Sequence, residues 1–228
     1  MYTSLITIKI GYQREITHLN KSDSVAAAKQ QRDHYHHGDL RESLISAATQ
    51  LVREKGPDKF SMADACKLAG VSKAAPYRHF ANKEDLLKSV IAVGFEEMRQ
   101  DMLAASNGLV SGSNQRITAI GLTYIAFAIK EPAIFKLMFG NSMNIKEPDS
   151  EMIGKPTFQI LLDEIIARTQ LHDVDKLMAI AFPLWTLVHG ASMLTIDDSY
   201  KRIYPGSNTD QMIIDSTELL LSSFPEPV

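Results

Sequence analysis

The sequence predicts an all-helical protein of two domains, a small N-terminal one and a larger C-terminal one. Apolar residues recur at three- and four-residue spacing along most of the 228-residue chain, and no alternating strand pattern of convincing length is present. Charge divides the chain in the same way. Residues 1–90 carry 14 Lys and Arg against 10 Asp and Glu, and residues 91–228 carry 10 against 17. A basic front part on an acidic body favours nucleic-acid binding by one end only.

Residues 1–34 read as a flexible arm because KSDSVAAAKQQRD is polar and small. Two explanations of this arm stay open, a disordered extension and a start codon assigned too early. A cluster formed by His34, His36 and His37 follows, and it suggests a metal site. Adjacent histidines without further spaced ligands rarely satisfy tetrahedral geometry, so we expect neither a metal nor a cofactor.

Residues 35–95 are predicted to form a domain of three helices. The first helix presents an apolar stripe and ends at Gly56 and Pro57. Its stripe consists of Leu40, Leu44, Ala47, Ala48 and Leu51.

A helix-turn-helix motif is predicted over about residues 61–80. Ser61 and Asp64 have the spacing of an N-terminal capping box, so they mark the start of the first helix. Gly70 is placed to end it in a left-handed conformation, and Ser72 is placed to cap the second helix. We expect the second helix to be a recognition helix, although Pro76 lies about one turn into it.

This motif resembles a known family. GVSKAAPYRHFANKEDLL resembles the DNA-binding signature of TetR-family bacterial repressors, and HHGDLRESLISAATQLVREKG resembles that family's first helix. Pro76 departs from the pattern because many relatives carry an aliphatic residue there. The resemblance implies phosphate contacts from Ser61, Tyr77, His79 and Lys83, and base contacts from Lys73, Ala74 and Ala75. With Ser72, these complete the expected DNA-binding residues.

Residues 96–228 are predicted to form a helical ligand-binding and dimerisation domain, reached by a long helix that starts at Lys83. Bulky side chains on its helices are candidates for a pocket, with plain core packing as the alternative reading for each. These candidates are Tyr124, Phe127, Phe135, Met138, Trp185 and His189. The segment PLWTLVHG also resembles the C-terminal domain of a TetR subgroup named for its Trp-His-Gly residues.

The stretch 177–196 contains no charged residue, counting His189 as neutral. Its length is enough to span a membrane, but Pro, Gly, Ser and Thr dilute it and no basic cluster flanks it. We therefore expect no membrane contact and predict a subunit interface formed with the last helix. The predicted interface residues are Gly190, Ala191, Ser192, Ile213 and Leu220.

The expected function is a cytoplasmic, ligand-responsive transcriptional repressor that binds a palindromic operator as a homodimer. Its partners would be double-stranded DNA and a small molecule. Enzyme motifs such as a glycine-rich phosphate loop or G-x-S-x-G are missing from the sequence, so no catalytic residue is predicted. Two alternatives stay open: a helical binding protein or enzyme whose helix-turn-helix is only structural, and a membrane-associated sensor.

Overall fold

The computed structural model describes residues 40–140 and 149–224, and these residues form helices and no strand. The first helix, α1, is described over residues 40–55. The others are α2 (Met62–Leu68), α3 (Lys83–Ser106), α4 (Asn114–Lys130), α5 (Pro132–Phe139), α6 (Asp149–Thr169), α7 (Val174–Ile196), α8 (Ser199–Ile203) and α9 (Thr209–Leu221). The all-helical prediction is confirmed. The predicted arm and the cluster of His34, His36 and His37 lie outside the described residues.

The start of the motif follows the sequence prediction closely. The Ser61 hydroxyl accepts a hydrogen bond from the backbone N–H of Asp64, and the Asp64 carboxylate accepts one from the backbone N–H of Ser61. Gly70 has φ of +69°, and the next N–H, that of Val71, donates to the Cys66 carbonyl at 2.9 Å. This reciprocal cap and left-handed glycine fix both ends of α2.

The second helix of the motif is shorter than the sequence predicts. Lys73 and Ala74 form a turn, Ala75 forms a bend, and only Pro76–Arg78 forms a helix, of the 3-10 type. Its N-cap is Ala75, without a side-chain cap, so the prediction that Ser72 caps this helix is wrong. The physical reason is Pro76, which has no N–H to donate back to Ser72, so the backbone closes i→i+3 turns instead.

Helix α3 joins the motif to the rest of the chain without a break. Its first half contributes Leu86 and Val90 to the core beneath the motif. Helix α5 crosses close to Gly94, where a Cβ atom would lie 2.7 Å from Ile134 Cγ2 and 2.8 Å from Met138 Sδ. The predicted domain boundary between residues 95 and 96 falls inside α3.

The loop between α3 and α4 is held by two buried charged side chains of α6. The Glu164 carboxylate accepts hydrogen bonds from the Gly112 N–H at 2.7 Å and from Arg116 Nε at 2.6 Å. Arg168 donates to the carbonyl oxygens of Gly112 and Phe224. The loop between α3 and α4 and the segment that follows α9 are therefore both anchored to α6.

Helix α7 has one buried and one exposed side. A core cluster contains Ile117, Ile165, Leu177, Ala181, Leu184 and Leu221. Of the described residues, α7 is the single helix long and apolar enough to cross a membrane by length and composition, and the bent pair α4–α5 passes the same test together. Only 28% of the 18-residue apolar stretch within α7 is buried, so α7 keeps an apolar exposed side.

Candidate functional site

The residues predicted to contact DNA lie along one short stretch of chain, and most of them are exposed. Ser61, Ser72, Lys73, Ala74 and Tyr77 are exposed, and the Tyr77 side chain is 62% accessible. Ala75, His79 and Lys83 are half-buried. The exposed Arg78 adds another cation beside them. The small side chains of Ala74 and Ala75 thus come first, and hydrogen-bond donors follow them along the chain.

Two of the predicted phosphate contacts have defined surroundings. The Ser61 hydroxyl donates to Asp64 Oδ2 at 2.7 Å, so a phosphate contact from it requires the hydroxyl to turn away. The same hydrogen bonds from Ser61 lower the pKa of Asp64. The Lys83 ammonium lies 4.7 Å from the centre of the Phe60 ring, at the first residue of α3. A lysine held at a helix N-terminus is well placed to bind a phosphate.

A cavity of about 480 Å³ lies within the C-terminal part of the chain. Side chains from α3 to α7 and from α9 line it, and most are apolar or aromatic. This size and lining are typical of a site for a small organic molecule. Helix α3 contributes the run Ile91, Phe95, Met98 and Met102.

Three polar side chains meet at the cavity wall. The Tyr124 hydroxyl and His189 Nδ1 are 2.8 Å apart. The imidazole of His189 stacks with the rings of Trp185 and Phe135, with centroids 5.1 and 5.6 Å away. Burial raises the pKa of Tyr124 far above its usual range and lowers that of His189, so both are neutral at pH 7.

The predicted pocket residues divide into two groups. Tyr124, Met138 and Trp185 line the cavity. Phe127 and Phe135 are fully buried and are not among the lining residues; His189 lies behind Tyr124 and Trp185. Sequence reasoning named no lining residue on α3 or α6. The signal on α3 was the spacing of Ile91, Phe95, Met98 and Met102, which continues one apolar face well beyond the motif.

An ion pair connects the motif side of the chain to the cavity side. Arg53 on α1 donates to Glu131 at 2.7 Å and to Glu97 at 3.4 Å. Glu131 ends α4 and precedes α5, and only 13% of its side chain is exposed. Glu131 is also the N-cap of α5, the helix that carries the lining residues Met138 and Phe139.

The predicted interface residues also divide. Ala191, Ser192 and Ile213 are at most 2% exposed inside the protomer, so their side chains face its own core and not a partner. Gly190 and Leu220 are accessible, and a Cβ atom at Gly190 would meet no atom within 4 Å. The exposed side of α7 also includes Ala179, Phe182, Pro183 and Thr186.

Two family models match the chain. The model for bacterial regulatory proteins of the tetR family matches residues 44–90, which contain the motif. The model for the tetracyclin repressor-like C-terminal domain matches residues 117–215, which contain much of the cavity wall. Together the two matches cover more than half of the 228 residues.

Curated relatives are similar over part of their length. The HTH-type transcriptional regulator BetI of Agrobacterium fabrum is 29% identical over 87 residues, which are 38% of this chain and 41% of BetI. The nucleoid occlusion factor SlmA of Edwardsiella ictaluri is 27% identical over 112 residues, which are 47% of this chain and 54% of SlmA. The chain therefore spans about half the length of the curated relatives it matches.

Solved structures share the fold over most of the chain. A protein of unknown function from Rhodococcus sp. RHA1 superposes with a TM-score of 0.68 at 24% identity, covering 83% of this chain and 97% of that one. A tetR-family transcriptional regulator from Streptomyces coelicolor gives a TM-score of 0.65 at 16% identity, covering 82% of each chain. At these identities the likeness establishes the fold alone.

Proposed function

Because the chain belongs to the TetR family and has the DNA-binding fold of its transcriptional regulators, we propose that it is a ligand-responsive repressor. In this proposal it acts in the bacterial cytoplasm, as a homodimer on a palindromic operator. The observation that carries it is a single helix, α3, which begins just after the DNA-binding motif and lines the cavity from Ile91 to Met102. An effector in the cavity therefore acts on the same rigid element that positions the motif.

The proposed mechanism is an equilibrium between two arrangements of the DNA-binding parts. A ligand shifts such an equilibrium only by its difference in affinity for the two states. In one state the two motifs of a dimer match successive major grooves, about 34–36 Å apart, and in the other they do not. Filling the cavity displaces the second half of α3 or of α5, so the two states bind the effector differently.

Selection of binding sites from random DNA is the experiment that tests this proposal. We expect an imperfect palindrome whose half-sites are one helical turn, or a multiple of it, apart. A purified protein that enriches no sequence would favour the rival reading, a helical small-molecule-binding protein or enzyme with a purely structural motif. Fractionation of cells tests the membrane-associated alternative.

Lys83 and Lys73 are expected to act differently on DNA. Lys83→Ala removes a phosphate contact, so it should weaken binding to all sequences alike and lower the slope of log affinity against log salt concentration by about one unit.

Lys73→Ala removes the long donor that precedes Ala74 and Ala75, and it should cost about 1–3 kcal/mol of binding free energy at one base position. Titrations of the selected operator and of a scrambled sequence at several salt concentrations measure the salt dependence and the sequence-specific loss of affinity. A sequence-selective loss for Lys83→Ala would contradict its assignment.

The Arg53–Glu131 ion pair is expected to transmit part of the effector response. Glu131→Gln keeps the shape of the side chain but removes its charge, so a compound that releases the operator should do so roughly two- to fivefold less effectively. Glu97→Gln is the matched control because Glu97 lies farther from Arg53 and on α3 itself. The measurement is operator affinity with and without the compound. Equal effects of the two variants would exclude a special role for Glu131.

A further inference from the structure

Resting on the proposed function, we propose that the effector is an elongated, uncharged and mostly apolar molecule with a single hydroxyl group that hydrogen-bonds to Tyr124. The length follows from α3. Ile91 and Met102 both line the cavity and are eleven residues apart on one helix. At 1.5 Å per residue the lined stretch is about 16 Å long, the length of an alkyl chain of about a dozen carbons.

The apolar character follows from the walls. Four methionines line the cavity, and their flexible thioethers adapt well to a chain without fixed shape. They are Met98, Met102, Met138 and Met178. Among the described lining residues Lys155 is the single charged one, and it is exposed. An ionised group deep in such walls loses its hydration without gaining a partner, so the buried part of the effector is uncharged.

The hydroxyl follows from counting the hydrogen bonds of Tyr124. A phenol has one donor and two acceptor positions. His189 Nδ1, 2.8 Å away, takes one of these three positions. Two positions remain, and Tyr124 lines the cavity.

The tautomer of the neutral His189 decides which two positions these are. If Nδ1 accepts, both lone pairs of Tyr124 remain for the effector. If Nδ1 donates, the phenol proton and one lone pair remain. A hydroxyl group both donates and accepts, so it pairs with Tyr124 in either case. A carbonyl or an ether pairs in only one of them.

Trp185 allows a direct test because it is the single tryptophan of the chain and lines the cavity. Decan-1-ol and decanoate, two transparent ligands of equal chain length, are titrated while the fluorescence of Trp185 is recorded. We expect decan-1-ol to bind at least tenfold more tightly than decanoate at pH 7.5. Tyr124→Phe should weaken decan-1-ol roughly three- to tenfold. Tyr204→Phe, which removes a phenol hydroxyl outside the cavity lining, should leave its affinity unchanged.

Three results would overturn the inference: tighter binding of decanoate, an unchanged affinity for decan-1-ol in Tyr124→Phe, or no fluorescence change with either ligand. The comparison of the two ligands needs only the wild-type protein, so it holds even if a variant fails to fold. Mobility shifts with the selected operator are run on the same preparation. Operator binding without decan-1-ol binding rejects the effector class alone. Failure to bind any DNA rejects the proposed function, whichever ligand is preferred.

Discussion

Gly112→Ala is expected to lower the free energy of unfolding by about 3–4 kcal/mol, the largest stability effect we predict for a single methyl group in this chain. Gly112 has φ of +76°, where a side chain costs about 1–2 kcal/mol. A Cβ atom there would also lie 2.7 Å from the backbone nitrogen and 3.0 Å from the Cα atom of Arg168. These are backbone atoms of α6, so the clash is relieved only by moving the loop away from Glu164.

Gly108→Ala is the matched control for this prediction. Gly108 lies in the same loop with φ of +78°, but a Cβ atom there would meet nothing within 4 Å. Gly108→Ala should therefore lower the free energy of unfolding only by the conformational cost of a side chain at positive φ, about 1–2 kcal/mol. Urea unfolding of both variants at one protein concentration gives the difference from the midpoints, provided the slopes agree. Equal losses at the two glycines would show that the contact between the loop and α6 contributes nothing.

The start of the DNA-binding motif could be predicted from sequence because its signals are local. The cap of α2 depends on two residues three apart, and its end depends on the conformation that Gly70 prefers. The second helix was predicted too long for a reason that is also local. Pro76 lies about one turn into the predicted helix, and the observed backbone before it forms a turn and a bend instead of a helix.

The cavity and the faces of α7 could be predicted only in part because they depend on packing between distant segments. Bulk and apolar character identified Tyr124, Met138 and Trp185, but the same criteria selected Phe127 and Phe135, which are buried in the core. The periodicity of a helix that is apolar nearly all round does not tell which side faces the core.

Gly190→Arg is expected to give a folded monomer that binds the operator at least 100-fold more weakly than the wild type. The exposed side of α7 is apolar, and an exposed apolar surface of this kind marks an interface. Gly190 lies on α7, and a Cβ atom there would meet no atom within 4 Å, so a side chain can leave the helix at this position without a clash. In the proposed dimer, the same arginine would be buried against a partner without a counter-charge.

The substitution separates dimerisation from folding because its effect on the isolated helix is favourable. Replacing a glycine inside a helix by arginine gains up to about 1 kcal/mol of helix propensity, so the monomer should not be less stable. An arginine at Ala191, by contrast, would enter the core of the protomer and would report mainly on folding. Gly206→Arg is the matched control, since Gly206 lies outside α7 and is equally open.

Equilibrium sedimentation and operator titration measure the two consequences of Gly190→Arg. Losing the dimer removes the second half-site contact, which a linked pair makes at high effective concentration, and this is the source of the 100-fold loss. Gly206→Arg should remain a dimer with unchanged operator affinity. A wild-type monomer at micromolar concentration that still binds a palindrome tightly would contradict the interface. A dimeric Gly190→Arg protein would place the interface away from α7, because one buried arginine without a counter-charge in each subunit destabilises a packed contact by several kcal/mol.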